Sequence, residues 1–77
     1  MNLYLIYQTE NNDYDTYDSV VVASESESDA RTINPDYRGF KARHSAWCSS
    51  PDKVNVKFLC SGYDGERGIV LASFNAG

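Results

Sequence analysis

Asn11-Asn12-Asp13-Tyr14-Asp15-Thr16-Tyr17-Asp18-Ser19-Val20-Val21-Val22-Ala23-Ser24-Glu25-Ser26-Glu27-Ser28-Asp29 reads as a turn, a strand and a helix start in one unbroken run. The Asn- and Asp-rich opening belongs in a turn, where short polar side chains bond their own backbone. The run of β-branched valines favours a strand over residues 17–23. Ser24 and Glu27 stand at capping-box spacing, and Glu25, Glu27 and Asp29 occupy the first turns, where the helix dipole favours anions. Glu27 and Arg31 form an i, i+4 pair in the favourable order. Pro35 stops the helix after about nine residues, with Ala30 and Ile33 as its apolar contacts. A helix that short must lean on a sheet to exist.

Working outward, residues 3–8 read as a strand with Leu3, Leu5 and Tyr7 on one face and Tyr4 and Ile6 on the other. Such a pattern suits a strand that is central or covered on both sides. It pairs most simply with the valine strand as a hairpin with a long acidic tip. Residues 54–60 alternate Val54, Val56, Phe58 and Cys60 against Asn55, Lys57 and Leu59, which predicts one core face and one wet face. A Gly- and Asp-rich turn over 61–68 and a strand over 69–74 predict a second hairpin. Residues 34–52 are long for a structureless connection and hold Trp47, expected to anchor the segment over the sheet or helix. The element order is ββαββ. The fold expected is α+β, a four-stranded antiparallel sheet with one short helix packed on a face.

The chain has 77 residues, 42% of them hydrophobic, and reads as a single domain over 1–77. A domain of this size buries only about 60% of its unfolded surface. The net charge of −4 hides a segregation. Residues 1–30 carry Glu10, Asp13, Asp15, Asp18, Glu25, Glu27 and Asp29 and no basic residue. Residues 31–57 carry Arg31, Arg38, Lys41, Arg43, Lys53 and Lys57 against Asp36 and Asp52. Segregated charge bears on association, not on fold. The acidic balance argues against direct nucleic-acid binding. No apolar run near the start suits a signal peptide or a membrane span, so a cytosolic, reduced setting for Cys48 and Cys60 is expected.

Known chemistry fits poorly. A calcium loop starting at Asp13 needs an oxygen ligand at its fifth position, Gly at its sixth and Glu at its twelfth. Those positions hold Tyr17, Asp18 and Ser24. His44, Cys48 and Cys60 fall short of the four ligands of a structural zinc site. No metal, cofactor or catalytic residue is expected, nor an enzyme. Carboxylates alternating with tyrosines do suit a protein contact, since tyrosine offers rigid amphipathic area and the charges steer a basic partner. The expected protein-binding residues are Asp13, Tyr14, Asp15, Tyr17, Asp18, Glu25 and Glu27. This surface is extensive only if hairpin tip and helix start lie side by side. The alternative is a site for an anionic nucleotide formed by Arg38, Lys41, Arg43 and Trp47 in the basic-aromatic segment 37–47, by stacking and charge neutralisation. Against it, the aromatics can serve as core and the cations can pair with the acidic first third. A small sheet with free edges also points to a self-associating structural protein, with a homodimer as partner.

Several strings resemble those of a group of small bacteriophage and prophage accessory proteins. They are Tyr14-Asp15-Thr16-Tyr17-Asp18-Ser19-Val20-Val21-Val22-Ala23, Asp29-Ala30-Arg31, Ser49-Ser50-Pro51-Asp52-Lys53-Val54, and Gly68-Ile69-Val70-Leu71-Ala72-Ser73-Phe74-Asn75-Ala76-Gly77. The resemblance covers about half the chain; residues 37–46 lie outside it. It implies a phage protein acting in the host cytoplasm. By analogy with other small acidic phage proteins, it would bind and inhibit a host protein in the manner of anti-defence factors such as anti-CRISPRs.

Overall fold

The computed structural model describes residues 1–11, 15–36, 38–40 and 45–75. Strands β1 (Asn2–Tyr7) and β2 (Thr16–Ser24) pair antiparallel, with Leu5 opposite Val21 and Tyr7 opposite Ser19. Helix α1 (Glu27–Ala30) follows, then a single 3-10 turn at Pro51–Lys53, strand β3 (Asn55–Cys60) and strand β4 (Gly68–Asn75). The result is a four-stranded antiparallel sheet with one short helix on a face. Its strand order is β3-β1-β2-β4.

That order overturns the expected second hairpin. β3 pairs with β1 and β4 with β2, so the last two strands form opposite edges of the sheet. Residues 61–67 cross the end of the two central strands instead of turning tightly. Three strand spacings amount to about 14 Å, which an extended chain of this length spans easily. Two backbone bonds hold the crossing: the Met1 ammonium donates to the Tyr63 carbonyl at 2.8 Å, and the Tyr63 N–H donates to the Met1 carbonyl at 2.9 Å. Gly62, at φ 86°, turns the chain off the end of β3 in a conformation that disfavours other residues.

The helix also differs from its expected form. It is four residues long, and its N-cap is Ser26, whose hydroxyl accepts from the Asp29 N–H at 3.1 Å. Ser24 is occupied elsewhere, donating its hydroxyl to the Asp29 carboxylate at 2.6 Å. After Ala30 the N–H groups of Thr32 and Ile33 bond three residues back, to Asp29 and Ala30. This tightening ends the α-helix before Pro35 is reached. Ala30 and Ile33 are both buried as expected, and Glu27 pairs with Arg31 at 3.7 Å.

The core lies on the helix side of the sheet. Tyr4, Ile6, Val20 and Val22 point into it and meet Ala30, Ile33, Trp47, Cys48 and Val54. Trp47 is 1% exposed and acts as the anchor of the long middle segment. The expected core face of β3 holds only at its start. Val54 is buried and Val56 half-buried, but Phe58 is 57% exposed, touching the Tyr4 ring edge-on with centroids 5.8 Å apart at the sheet margin. β3 is an edge strand, and a bulge opposite Leu3 and Tyr4 breaks its alternation.

Candidate binding site at the acidic corner

The end of β2 nearest the hairpin loop is built by side chains that tie sequence-distant segments together. Gln8 is buried, and its amide clamps the loop base. Nε2 donates to the carbonyls of Asn11 and Tyr17 at 2.7 and 2.9 Å, while Oε1 accepts from the Asn11 N–H at 2.8 Å. Asn11 reaches across to donate to the Ser45 carbonyl at 2.7 Å. The Glu10 carboxylate accepts from the Ser49 hydroxyl at 3.1 Å and from its N–H at 2.7 Å, and these bonds, the hydroxyl first, hold its pKa below the usual range. The basic-aromatic segment is thereby stitched to the base of the acidic hairpin.

Asp36 organises the other wall. It is 5% exposed, and its carboxylate accepts from Arg38 Nε at 3.0 Å, from the second guanidinium nitrogen at 2.9 Å, and from the backbone N–H groups of Arg38 and Ala46. The Arg38 hydrogen bonds outweigh the cost of burial and hold the carboxyl far below the ordinary range. Ala46, so positioned, accepts from the Tyr17 N–H at 2.8 Å. Tyr17 packs against Phe74 of β4 in an edge arrangement, with centroids 4.7 Å apart and planes at 63°. Asp18 sits in a bulge between the Tyr17 and Ser19 pairings, which turns its carboxylate to solvent.

Between these walls lies a cleft of about 270 Å³ lined by Asp15, Tyr17, Pro35, Asp36, Arg38, Ala46 and Phe74. Asp15 is exposed and has a φ of 60°, a left-handed conformation that Asp and Asn tolerate better than most residues. Neither Asp15 nor Asp18 has an ion-pair partner among the described residues.

The cleft thus brings together Asp15, Tyr17 and, from the alternative set, Arg38, with Asp18 next to Tyr17 in the strand. It does not bring Glu25 and Glu27 to them. These stand beyond the far end of the nine-residue β2, about 27 Å away, so the expected continuous acidic surface is two separate patches. Trp47 is core and cannot stack on a ligand from outside. Asp13, Tyr14, Lys41 and Arg43, with His44, lie outside the described residues. At the helix end, the Asp29 carboxylate takes Arg67 Nε at 2.7 Å and a second guanidinium nitrogen at 2.9 Å besides Ser24. Those bonds, Arg67 first, lower its pKa to about 2.

Phe74 and Asp36 line the cleft and are not among the site residues expected from the sequence. Phe74 was legible only as a strand residue, since its contact with Tyr17 depends on β4 lying beside β2. Asp36 carried a weak signal in Asp36-Tyr37-Arg38, where the i, i+2 acid–base pair reads as a turn. Both cysteines are free thiols, Cys48 buried and Cys60 exposed; burial pushes the Cys48 thiol pKa up. No helix among the described residues is long and apolar enough to cross a membrane. Comparison with family models, curated proteins and solved structures returns no match.

Proposed function

We propose that this chain is a non-enzymatic protein-binding module of the phage-encoded inhibitor kind, which docks a basic surface of a host protein through its acidic, tyrosine-bearing corner. One observation carries the reading. Glu10, Asp29 and Asp36 are consumed by internal hydrogen bonds, whereas Asp15 and Asp18 face solvent beside the Tyr17–Phe74 pair without an ion-pair partner among the described residues. Carboxylates flanking exposed aromatic area steer a cationic partner and then give it something to pack on. The resemblance to phage accessory proteins makes the host cytoplasm the setting and an anti-defence role the purpose.

The test is affinity capture from host lysate, identification of the partner by mass spectrometry, and measurement of its association with the purified protein. Replacing Asp13, Asp15 and Asp18 together by Asn slows association and flattens its salt dependence. An association rate and salt slope equal to the parent's would move the interface elsewhere.

A second reading, a binder or sponge for an anionic nucleotide, is favoured by Arg38, which lines the cleft together with two aromatic rings. Cyclic nucleotides at a hundred times their dissociation constant would add about 2.7 kcal/mol of stability. Unchanged melting curves across a panel of cyclic nucleotides rule this reading out.

A further inference from the structure

We infer that the corner cleft receives one arginine side chain from the basic partner, with its guanidinium set between the Asp15 carboxylate and the Tyr17 and Phe74 rings. This deepens the protein-binding reading and rests on it. Charge comes first. Asp36 and Arg38 line the cleft as a mutually satisfied pair at 2.9 Å, so the described lining carries one net negative charge, that of Asp15. An incoming anion would meet the Asp15 carboxylate and an arginine already held in two-point contact by Asp36. An incoming cation meets the opposite situation on both counts.

Size agrees. Pockets for drug-sized ligands run to about 300–1,000 Å³, and this cleft of about 270 Å³ lies just below that range. It suits a single side chain better than a nucleotide. Chemistry selects arginine over lysine. A planar guanidinium stacks on aromatic rings and at the same time donates in parallel to a carboxylate, whereas an ammonium is a compact point charge. The cleft is also well braced. Its floor is fixed by the Tyr17–Ala46 and Ala46–Asp36 hydrogen bonds, and its rim by the edge contact between Tyr17 and Phe74.

The probe is a capped pentapeptide with one arginine between glycines, titrated into the isotopically labelled full chain and followed by amide NMR shifts. Saturable shifts are expected at Asp15, Tyr17, Ala46 and Phe74, weaker with lysine in place of arginine and absent with the neutral isostere citrulline. Asp15→Asn keeps the backbone conformation and should weaken arginine binding about tenfold. Phe74→Leu should weaken it roughly threefold by removing the ring, with dispersed parent-like spectra showing that both variants fold. Equal binding of the citrulline peptide, an affinity unchanged by Asp15→Asn, or shifts confined to Glu25 and Glu27 would overturn the assignment. Saturable binding of inorganic pyrophosphate at Arg38 in place of arginine would do so too, in favour of the anion. The two readings separate cleanly. If the triple Asn variant loses its host partner while the arginine peptide leaves the cleft unmoved, the interface stands and the cleft assignment falls. If the peptide binds as expected and no partner depends on Asp13, Asp15 and Asp18, the cleft stands and the inhibitor reading falls.

Discussion

The two faces of the sheet have similar sequences and different fates. On the covered face, Tyr4, Ile6, Val20 and Val22 sit beneath Trp47, Ala30 and Ile33 and are almost wholly buried. On the open face, Leu5, Val21 and Leu71 form a cross-strand row through the registers Leu5–Val21 and Val21–Leu71. Leu5 and Val21 are half-buried there and Leu71 is 68% exposed. A shallow groove of about 220 Å³ runs beside them, lined also by Ser19 and Ser73. Alternation alone treats the two faces as equals. What separates them is the middle segment, whose described residues Trp47 and Cys48 pack on the first face. Apolar patterning therefore reports the capacity to be covered, and the cover itself is supplied by residues far away in the chain.

The sharpest test of this difference is Trp47→Ala, expected to cost about 3–5 kcal/mol. A 77-residue domain has little more than that to lose. Circular dichroism during urea unfolding should find the variant largely unfolded; tryptophan emission is lost with Trp47, the sole tryptophan. A mild loss would mean that the middle segment covers the face without stabilising it.

Asp36→Ala comes next, at about 2 kcal/mol, because it leaves the buried Ala46 N–H without its acceptor and removes the carboxylate that joins Arg38 to Ala46. Its urea midpoint should fall while that of the open-face variant Leu71→Ser stays at the parent value.

Smaller again is the acid limb of stability. Asp29 and Asp36 bind protons less readily when folded than when unfolded, so their contributions are fully present above the unfolded carboxylate range and drain away as pH falls. For Asp29 that loss runs from about pH 4 through about 2. Arg67→Met should remove the main cause of its depressed pKa and flatten the thermal-melt profile in this window. The pair is partly exposed and the change near neutral pH should stay below about 1 kcal/mol.

Least of all, Leu71→Ser should alter monomer stability by no more than about 0.5 kcal/mol. A larger loss that grows with protein concentration, accompanied by a drop in sedimentation coefficient, would show that a second copy covers the open face. That result would make the two faces alike after all.

Much of the corner is legible in the sequence. Asp15, Tyr17 and Asp18 are adjacent in sequence, and a strand end keeps neighbours together. Arg38 was legible as a cation but not as a neighbour of Tyr17. The link passes through Asp36 and Ala46, and no local pattern announces a contact between residues so far apart. Glu25 and Glu27 join the tip only where hairpin tip and helix start lie side by side, and β2 runs the whole way between them. An extended strand turns each residue into about 3.3 Å of separation.

From the residues alone, the β-branched and alternating runs determined four strands, Ser and Asp after the valines determined a helix start, and Trp47 announced itself as an anchor. These are local preferences or single large burials, and they survive in any context. The tertiary structure decided the rest. Strand order is β3-β1-β2-β4 because a connector can turn back or cross, and composition does not distinguish the two. The cap is Ser26 because Asp29, held by Arg67 from the crossing connector, claims the Ser24 hydroxyl. The same competition for partners determines which carboxylates of the acidic stretch are spent inside the fold and which, Asp15 and Asp18, remain on its surface. Hydrogen bonds and charges are settled by what lies opposite, and what lies opposite is set only when the sheet closes.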